Sequence, residues 1–408
     1  MKVSLVTLGC KVSQYDGAKL EGVIEKAGGE PVPPSPQSQA FIICGCAVTE
    51  KAVKEASQII RRFKRMNPQA PVLLYGCLGE LGSRQGLENC FPPGDQEGVL
   101  KALGLTNGEK TSTINWHRTR GVVKIQDGCD RFCAFCIVPH LRGKPKSRDL
   151  EEIREEVSSL ARAGFKEVVL TGVHLSSFGR DLGGENHLIH LLKEINETPG
   201  IERIRLSSLE PVDLHPQGLS NLKEITRLCP HFHLPLQSGS DRILKSMNRG
   251  YTFSHFLSLV ETIKATWPEA SITTDIMVGF PGEEEEDFDL TLEAVERVEF
   301  LKVHAFRYSP RPFTPAQNFP GQVDEETKRK RLRRLMDLSS RVSLKFKERF
   351  RGHVLQVLIE KQISPFEGVG FSSNYIKVKV KSGKPLTCNT IVPVRILSVA
   401  DYCLGEAL

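Results

Sequence analysis

Short runs of apolar residues alternate with longer segments whose apolar positions recur at three- and four-residue spacing, and this alternation continues through most of the chain. The runs predict strands at residues 3–7, 40–44 and 72–75, then at 122–125, 167–170, 203–207, 232–236, 272–277 and 302–308. Helical spacing fills 150–163, 187–197, 253–267 and 284–298. Strand and helix in alternation argue for parallel sheets covered by helices. After about residue 352 the pattern shortens to β-like runs at 354–359, 375–380 and 391–397, separated by Gly, Pro and Ser, which fits a small all-β barrel. The predicted fold class is an α/β multidomain chain. An N-terminal parallel α/β domain spans 1–112, a central partial β/α barrel 113–345 and a C-terminal small all-β barrel 346–408. Six strand-helix units favour a partial barrel over the closed eightfold form.

Composition narrows the class. With 408 residues, 39% hydrophobic and 25% charged, the chain has the make-up of a soluble globular protein. No stretch approaches the ~20 apolar residues that a bilayer crossing needs, so no membrane association is expected. Residues 1–10 carry one basic residue and an apolar run too short for a signal sequence, and read as a first strand. The eleven cysteines are odd in number and six sit in metal-like settings, which favours a reducing, cytoplasmic location over disulfides.

Three of those cysteines are packed as Cys129-Asp-Arg-Phe-Cys133-Ala-Phe-Cys136. Iron-sulfur clusters ordinarily take four thiolates, so a tight set of three implies that a substrate or cofactor completes the site. A zinc knuckle is the alternative, with His140 as the nearby fourth ligand, although zinc favours paired Cys-x2-Cys sets. Three more cysteines each follow a predicted strand and a glycine, in Thr7-Leu-Gly-Cys10, Cys44-Gly-Cys46 and Tyr75-Gly-Cys77. In a parallel sheet the strand ends share one edge, where ligands bind, so these cysteines converge. A second three-thiolate site is the natural expectation, with Cys44 or Cys46 as its middle member. Buried, unrelated thiols are the alternative.

The net charge of +6 is unevenly placed. Between Lys328 and Arg351 there are 11 basic residues against Asp337 and Glu348, while the remainder of the chain holds 44 basic and 47 acidic residues. Leu332, Leu335 and Leu338 give this basic stretch helical spacing. A solvated helix face is the plain reading, and a phosphate-binding stripe the functional one. Phe346 and Phe350 lie four apart and read as packing residues.

The Cys129–Cys136 spacing resembles the signature of the radical S-adenosylmethionine superfamily. Further strings include Cys136-Ile-Val-Pro139-His-Leu-Arg142-Gly, Leu170-Thr-Gly172, Ser207-Ser-Leu-Glu210-Pro, Leu234-Pro-Leu-Gln237-Ser-Gly-Ser, Met247-Asn-Arg249 and Gly279-Phe-Pro-Gly282-Glu. Together with both cysteine sets and the terminal β module, they resemble the methylthiotransferase family over nearly the whole chain. Thr7-Leu-Gly-Cys10-Lys-Val is most similar to the branch that methylthiolates C2 of N6-threonylcarbamoyladenosine at position 37 of tRNA. Other branches act on the isopentenyl analogue or on an aspartate of a ribosomal protein.

The resemblance implies a transferase with two [4Fe-4S] clusters and S-adenosyl-L-methionine. The metal ligands would be Cys10, Cys46, Cys77, Cys129, Cys133 and Cys136. Cys46 is preferred to Cys44 because the following Ala-Val-Thr-Glu-Lys-Ala matches the family. Ser13 departs from the family's Asn, and Cys90, Cys229, Cys388 and Cys403 match no ligand position. Cofactor contacts are expected at Thr171, Gly172, Glu210, Gln237, Gly279 and Phe280, with Arg142 and Arg148 on cofactor carboxylate or RNA phosphate. The terminal barrel resembles the TRAM domain, and Lys328, Arg329, Arg333, Lys345, Lys347, Arg349 and Arg351 are expected to bind RNA. The partners implied are tRNA and a reductant such as flavodoxin or ferredoxin, with the sulfur donor open. Two other classes compete: an RNA-binding protein with structural clusters, and a radical enzyme that inserts no sulfur. The latter would not need Cys10, Cys46 and Cys77.

Overall fold

The computed structural model describes residues 1–105, 119–183, 187–214 and 216–408. The expected boundary between 112 and 113 lies outside them. Contacts divide the chain into two compact units that do not follow chain order. One comprises Met1–His117, Asp127–Lys144 and Ser309–Gln317, and the other Arg118–Gln126, Pro145–Tyr308 and Asn318–Leu408.

In the first unit, a five-stranded parallel sheet runs Glu30–Pro31, Lys2–Thr7, Ala40–Cys44, Val72–Tyr75, Cys90–Phe91. The three inner strands match the apolar runs of the sequence. Alternate side chains bury against helices on both faces. Val3, Ile42, Leu73 and Tyr75 pack with Leu20, Val23 and Leu100 on one face, and Phe41, Ile43 and Leu74 pack with Ala56 and Phe63 on the other. Burial on both faces is why these strands read as near-continuous apolar runs. Thr7 pairs with Cys44 and Cys44 with Tyr75, so the three strands end in register at one edge.

The second unit holds the partial barrel and the small closed barrel. Arg120–Asp127, Glu167–Gly172 and Arg203–Leu206 pair in parallel, as do His231–His233, Ser271–Val278 and Lys302–Arg307, and a parallel bridge from Ser208 to His233 links the two groups. Five antiparallel or mixed strands, Val354–Ser364, Glu367–Ser372, Lys377–Lys381, Cys403–Ala407 and Ile391–Val399, close the terminal barrel. Phe346 and Phe350 pack in its core with Val357, Val378 and Ile396.

The small barrel docks on the amino-terminal edge of the parallel strands through buried charge. Arg203 donates to the Phe371 and Gln356 carbonyls, Arg205 to the Ser373 carbonyl, and Ser271 Oγ to the Asn374 carbonyl at 2.6 Å. Glu167 accepts from Arg205 at 2.6 Å. Burial alone would raise the Glu167 carboxyl, but Arg205, Arg120 and Arg203 outweigh it and hold it below the usual carboxylate range. Every charge in this network is answered, as a buried ionic cluster requires.

Helix Glu325–Glu348 carries the basic stretch, and its burial corrects part of the expected RNA stripe. Lys328 and Arg331 share the buried face with Leu335, Leu338, Val342 and Phe346. Lys328 pairs with Glu325 at 3.1 Å, and Arg331 pairs with Glu283 at 2.8 Å and Glu285 at 3.2 Å. The acidic run at 283–287 therefore neutralises part of the stripe. Lys345 pairs with Glu299, Lys347 donates to the Ala400 and Asp401 carbonyls, Arg349 donates to the Pro268 carbonyl and Arg351 pairs with Glu348. Arg329 and Arg333 are exposed, with no carboxylate at ion-pair distance among the described residues.

Candidate metal centres

All six cysteines of the two expected sets lie in the first unit. Cys10 is the N-cap of helix Lys11–Lys26, and Cys77 opens helix Cys77–Arg84. Burial raises the Cys77 thiol, and the neighbouring Arg142 works against that rise. Gly9 has φ +116°, and a Cβ there would lie 2.5 Å from the Cys46 Cβ, so the glycine admits Cys46 to the Cys10 turn. Burial, then the neighbouring Cys10, pushes the Cys46 thiol up to about 12; Cys77 also acts on it. Thiols gathered this closely form a set that a cation would stabilise.

Cys44 stands apart. Its side chain belongs to the core with Val3, Leu20 and Tyr75, and its Sγ donates to the Ser13 carbonyl at 3.3 Å. Strand alternation explains this, since Cys44 is the last sheet residue whereas Cys46 lies beyond the edge.

The second set occupies a tight loop. Gly128 has φ +74° where a Cβ would meet the Lys144 carbonyl oxygen at 2.0 Å, and the Cys129 N–H donates to the Gly143 carbonyl at 3.0 Å. Asp127 accepts two bonds from Arg142, at 2.8 and 2.9 Å, which close the loop at its base. His140, the ligand a zinc knuckle would need, has its ring between those of Phe132 and Phe313.

Arg142 departs from the expected role on cofactor or RNA. Its side chain is 3% exposed, pairs with Asp16 at 2.7 Å as well as Asp127, and its Nε donates to Cys77 Sγ at 2.9 Å. Burial works against its charge, but Cys77, Asp16 and Asp127 overcome that and raise its pKa well above the ordinary value. Arg142 thus ties the end of the Cys129–Cys136 loop to the strand-end cysteines. Asp16 and Asp127 are the partners that sequence reading missed. Asp127 had a signal, two positions before Cys129, whereas Asp16 had none.

In the second unit, the carboxyl edge of the partial barrel gathers polar groups. Thr171 is buried, and a Cβ at Gly172 would meet Gln126 Oε1 at 2.9 Å. Glu210 pairs with Arg249 at 2.7 Å, and His233 with Asp275 at 3.3 Å. Ser207 Oγ and Gln237 Oε1 are buried without a hydrogen-bond partner among the described residues, and Gln237 has φ +68°. Orphaned buried acceptors and donors are costly unless a ligand answers them, which fits a polar cofactor here. His233 and Asp275 were missed, though polar residues inside parallel strands are themselves a signal. Three expected contacts are corrected. Arg148 donates to the Lys124 carbonyl and pairs with Glu156, Phe280 is fully buried between Tyr308 and Phe319, and Gly279 is covered by the Lys328 side chain. A residue already enclosed by protein supports a pocket wall instead of touching a ligand.

Comparison with known proteins gives the family and the fold. The model of the radical SAM superfamily matches residues 123–295, and one described as "Uncharacterized protein family UPF0004" matches residues 2–92. The chain is 36% identical to the threonylcarbamoyladenosine tRNA methylthiotransferase MtaB of Thermotoga maritima, covering 92% of this chain and 90% of that one. It is 33% identical to the MtaB of Bacillus subtilis, over 99% and 95%. It is also 35% identical to the tRNA-2-methylthio-N(6)-dimethylallyladenosine synthase of Pelotomaculum thermopropionicum, over 97% and 95%. Among solved structures, the radical S-adenosylmethionine methyltransferase TsrM of Kitasatospora setae shares the fold with a TM-score of 0.57 at 17% identity, covering 78% and 75%.

Proposed function

This chain belongs to the radical S-adenosylmethionine methylthiotransferase family, and we propose that it adds a methylthio group to C2 of N6-threonylcarbamoyladenosine at position 37 of tRNA. The observation that carries the reading is the convergence of two three-cysteine sets in one unit, joined through Arg142. A radical enzyme that inserts no sulfur would not need Cys10, Cys46 and Cys77.

In this reading Cys129, Cys133 and Cys136 hold one [4Fe-4S] cluster and Cys10, Cys46 and Cys77 the other. When bound, the clusters and S-adenosyl-L-methionine supply reductive sulfonium cleavage and a methylated sulfur for transfer, chemistry that an unactivated C–H bond requires. The chain's own groups orient these reactants. Gln237 and Ser207 offer polar atoms to the cofactor, beside Thr171, Gly172 and Glu210. Arg249 holds the Glu210 carboxylate in place. The exposed Arg329 and Arg333 approach phosphate, and the small barrel supports the RNA. A flavodoxin- or ferredoxin-like reductant supplies electrons in the cytoplasm. No helix among the described residues is long and apolar enough to cross a membrane.

The test is mass spectrometry of tRNA nucleosides from a host that lacks methylthiotransferases but makes both N6-modified adenosines, with this chain expressed. The reading expects the 2-methylthio derivative of threonylcarbamoyladenosine. The near-equal identity to dimethylallyladenosine synthases makes the isopentenyl derivative the second reading. Its appearance instead would overturn the substrate and keep the chemistry.

A further inference from the structure

Two phenylalanines of the first unit hold a backbone conformation that bulky residues avoid. Phe132, between Cys129 and Cys133, has φ +44°, and Phe313 has φ +67°. Left-handed backbone at a bulky residue is a true outlier, and it persists only where the surroundings impose it. Neither ring offsets the strain by burial, since Phe132 is 53% and Phe313 46% exposed.

At Phe313 the surroundings impose it. Arg311 donates to the Ala47 carbonyl at 2.6 Å, Thr314 Oγ1 to the Arg311 carbonyl at 2.7 Å, and the Ala316 N–H to the Ala134 carbonyl at 2.9 Å. These bonds pin the segment Ser309–Gln317 beside Cys46 on one side and Cys133 on the other. Between the two strained residues stands His140, with ring centroids 5.7 Å from Phe132 and 6.2 Å from Phe313. Arg84 places its guanidinium 5.7 Å from the Phe313 ring centroid, while its Nε donates to Glu80. The result is two exposed rings, Phe132 and Phe313, inclined at 74° and 42° to the half-buried ring of His140, with a cation beside Phe313.

We propose that the exposed ring of Phe313, backed by His140 and Phe132, is a stacking platform for an unpaired nucleobase of the substrate RNA, the one next to the adenosine that reacts. The proposal rests on the reading of the chain as a tRNA-modifying enzyme. An enzyme working on a base atom must take that base out of its stack, which strips a neighbour of its own stacking partner. Exposed aromatic rings replace that partner for any base, because every base has a π-face. Arg84 adds a cation suited to the adjoining phosphate or to the stack itself. Held strain is then explained: a relaxed backbone would let the Phe313 ring fall onto the protein surface.

The test uses the full-length, cluster-loaded protein and a fluorescent anticodon stem-loop carrying N6-threonylcarbamoyladenosine. Phe313→Gly suits the left-handed backbone and deletes only the ring. Its Kd for the stem-loop is expected to rise about tenfold, with iron content unchanged and no fall in melting temperature. Phe313→Trp should bind like the wild type. An abasic nucleotide beside the modified adenosine should weaken wild-type binding about tenfold yet add little in Phe313→Gly, since ring and base then act as one contact. Unchanged affinity in Phe313→Gly would overturn the platform, as would an affinity loss matched by losses of iron and stability. If the wild type itself ignored the stem-loop, the tRNA reading would fall and the platform with it, a result visible without any variant.

Discussion

The two cysteine sets reach the same unit by opposite routes. Cys129, Cys133 and Cys136 lie within one short loop whose shape is set locally, by Gly128 at its start and by the Asp127–Arg142 clasp at its base. Cys10, Cys46 and Cys77 stand 36 and 31 residues apart and meet only because three parallel strands end in register. A local set keeps its spacing in any chain that forms the loop, whereas a topological set exists only in the folded sheet. Metal affinity at the second kind is therefore folding free energy as well.

The sharpest way to break the comparison is to remove one set at a time. Cys133→Ala is expected to abolish reductive cleavage of S-adenosyl-L-methionine, read as 5'-deoxyadenosine formed under dithionite. Cys77→Ala should retain that cleavage and lose methylthiolation of tRNA. If Cys77→Ala also abolished cleavage, the two sets would not have separate tasks.

Arg142 is the group the sets share, and its loss should be felt by both. Arg142→Ala leaves Asp16 and Asp127 buried or half-buried without their cation, a change worth roughly 3–5 kcal/mol. Denaturant unfolding should show that loss, and iron analysis should show depletion at both sites. A variant that lost iron from the Cys129–Cys136 loop alone would make Arg142 a local clasp and nothing more.

Gly9→Ala separates the sets more gently. The new methyl group would sit on the Cys46 Cβ with the backbone at φ +116°, so a cost of about 1–3 kcal/mol is expected. Iron should fall at the strand-end site while S-adenosyl-L-methionine cleavage persists. The smallest effect is expected at Cys44. Cys44→Ala removes a core thiol, for a loss of about 1 kcal/mol in thermal unfolding, with both clusters retained. Iron loss in that variant would make Cys44 a ligand after all.

The contrast between local and topological features also explains what the sequence revealed. The Cys129–Cys136 loop was legible from spacing alone. The strand-end set was legible because each cysteine follows an apolar run and a glycine, a repeated local sign of a shared edge. Arg142 was misplaced because its partners, Asp16 and Cys77, are distant in sequence and nothing near Arg142 announces them. Lys328 was misjudged for a different reason: its spacing with Arg331, Leu335 and Leu338 already marked a buried face, but charge was weighed above periodicity. Strand Glu367–Ser372 escaped because Gly368 and Gly370 weaken its apolar pattern. At Gly370 a Cβ would lie 2.0 Å from the Leu358 carbonyl oxygen of the neighbouring strand, so the glycine that hides the strand is what lets it pair.

Iron and sulfide counting on anaerobically reconstituted protein tests the central claim most directly, with each cysteine set replaced by alanine in turn. The account predicts about eight irons in the wild type and about four in each triple variant, each remaining cluster with its own paramagnetic resonance signal. A wild type that held a single cluster, or a Cys10, Cys46 and Cys77 triple variant that lost no iron, would contradict it.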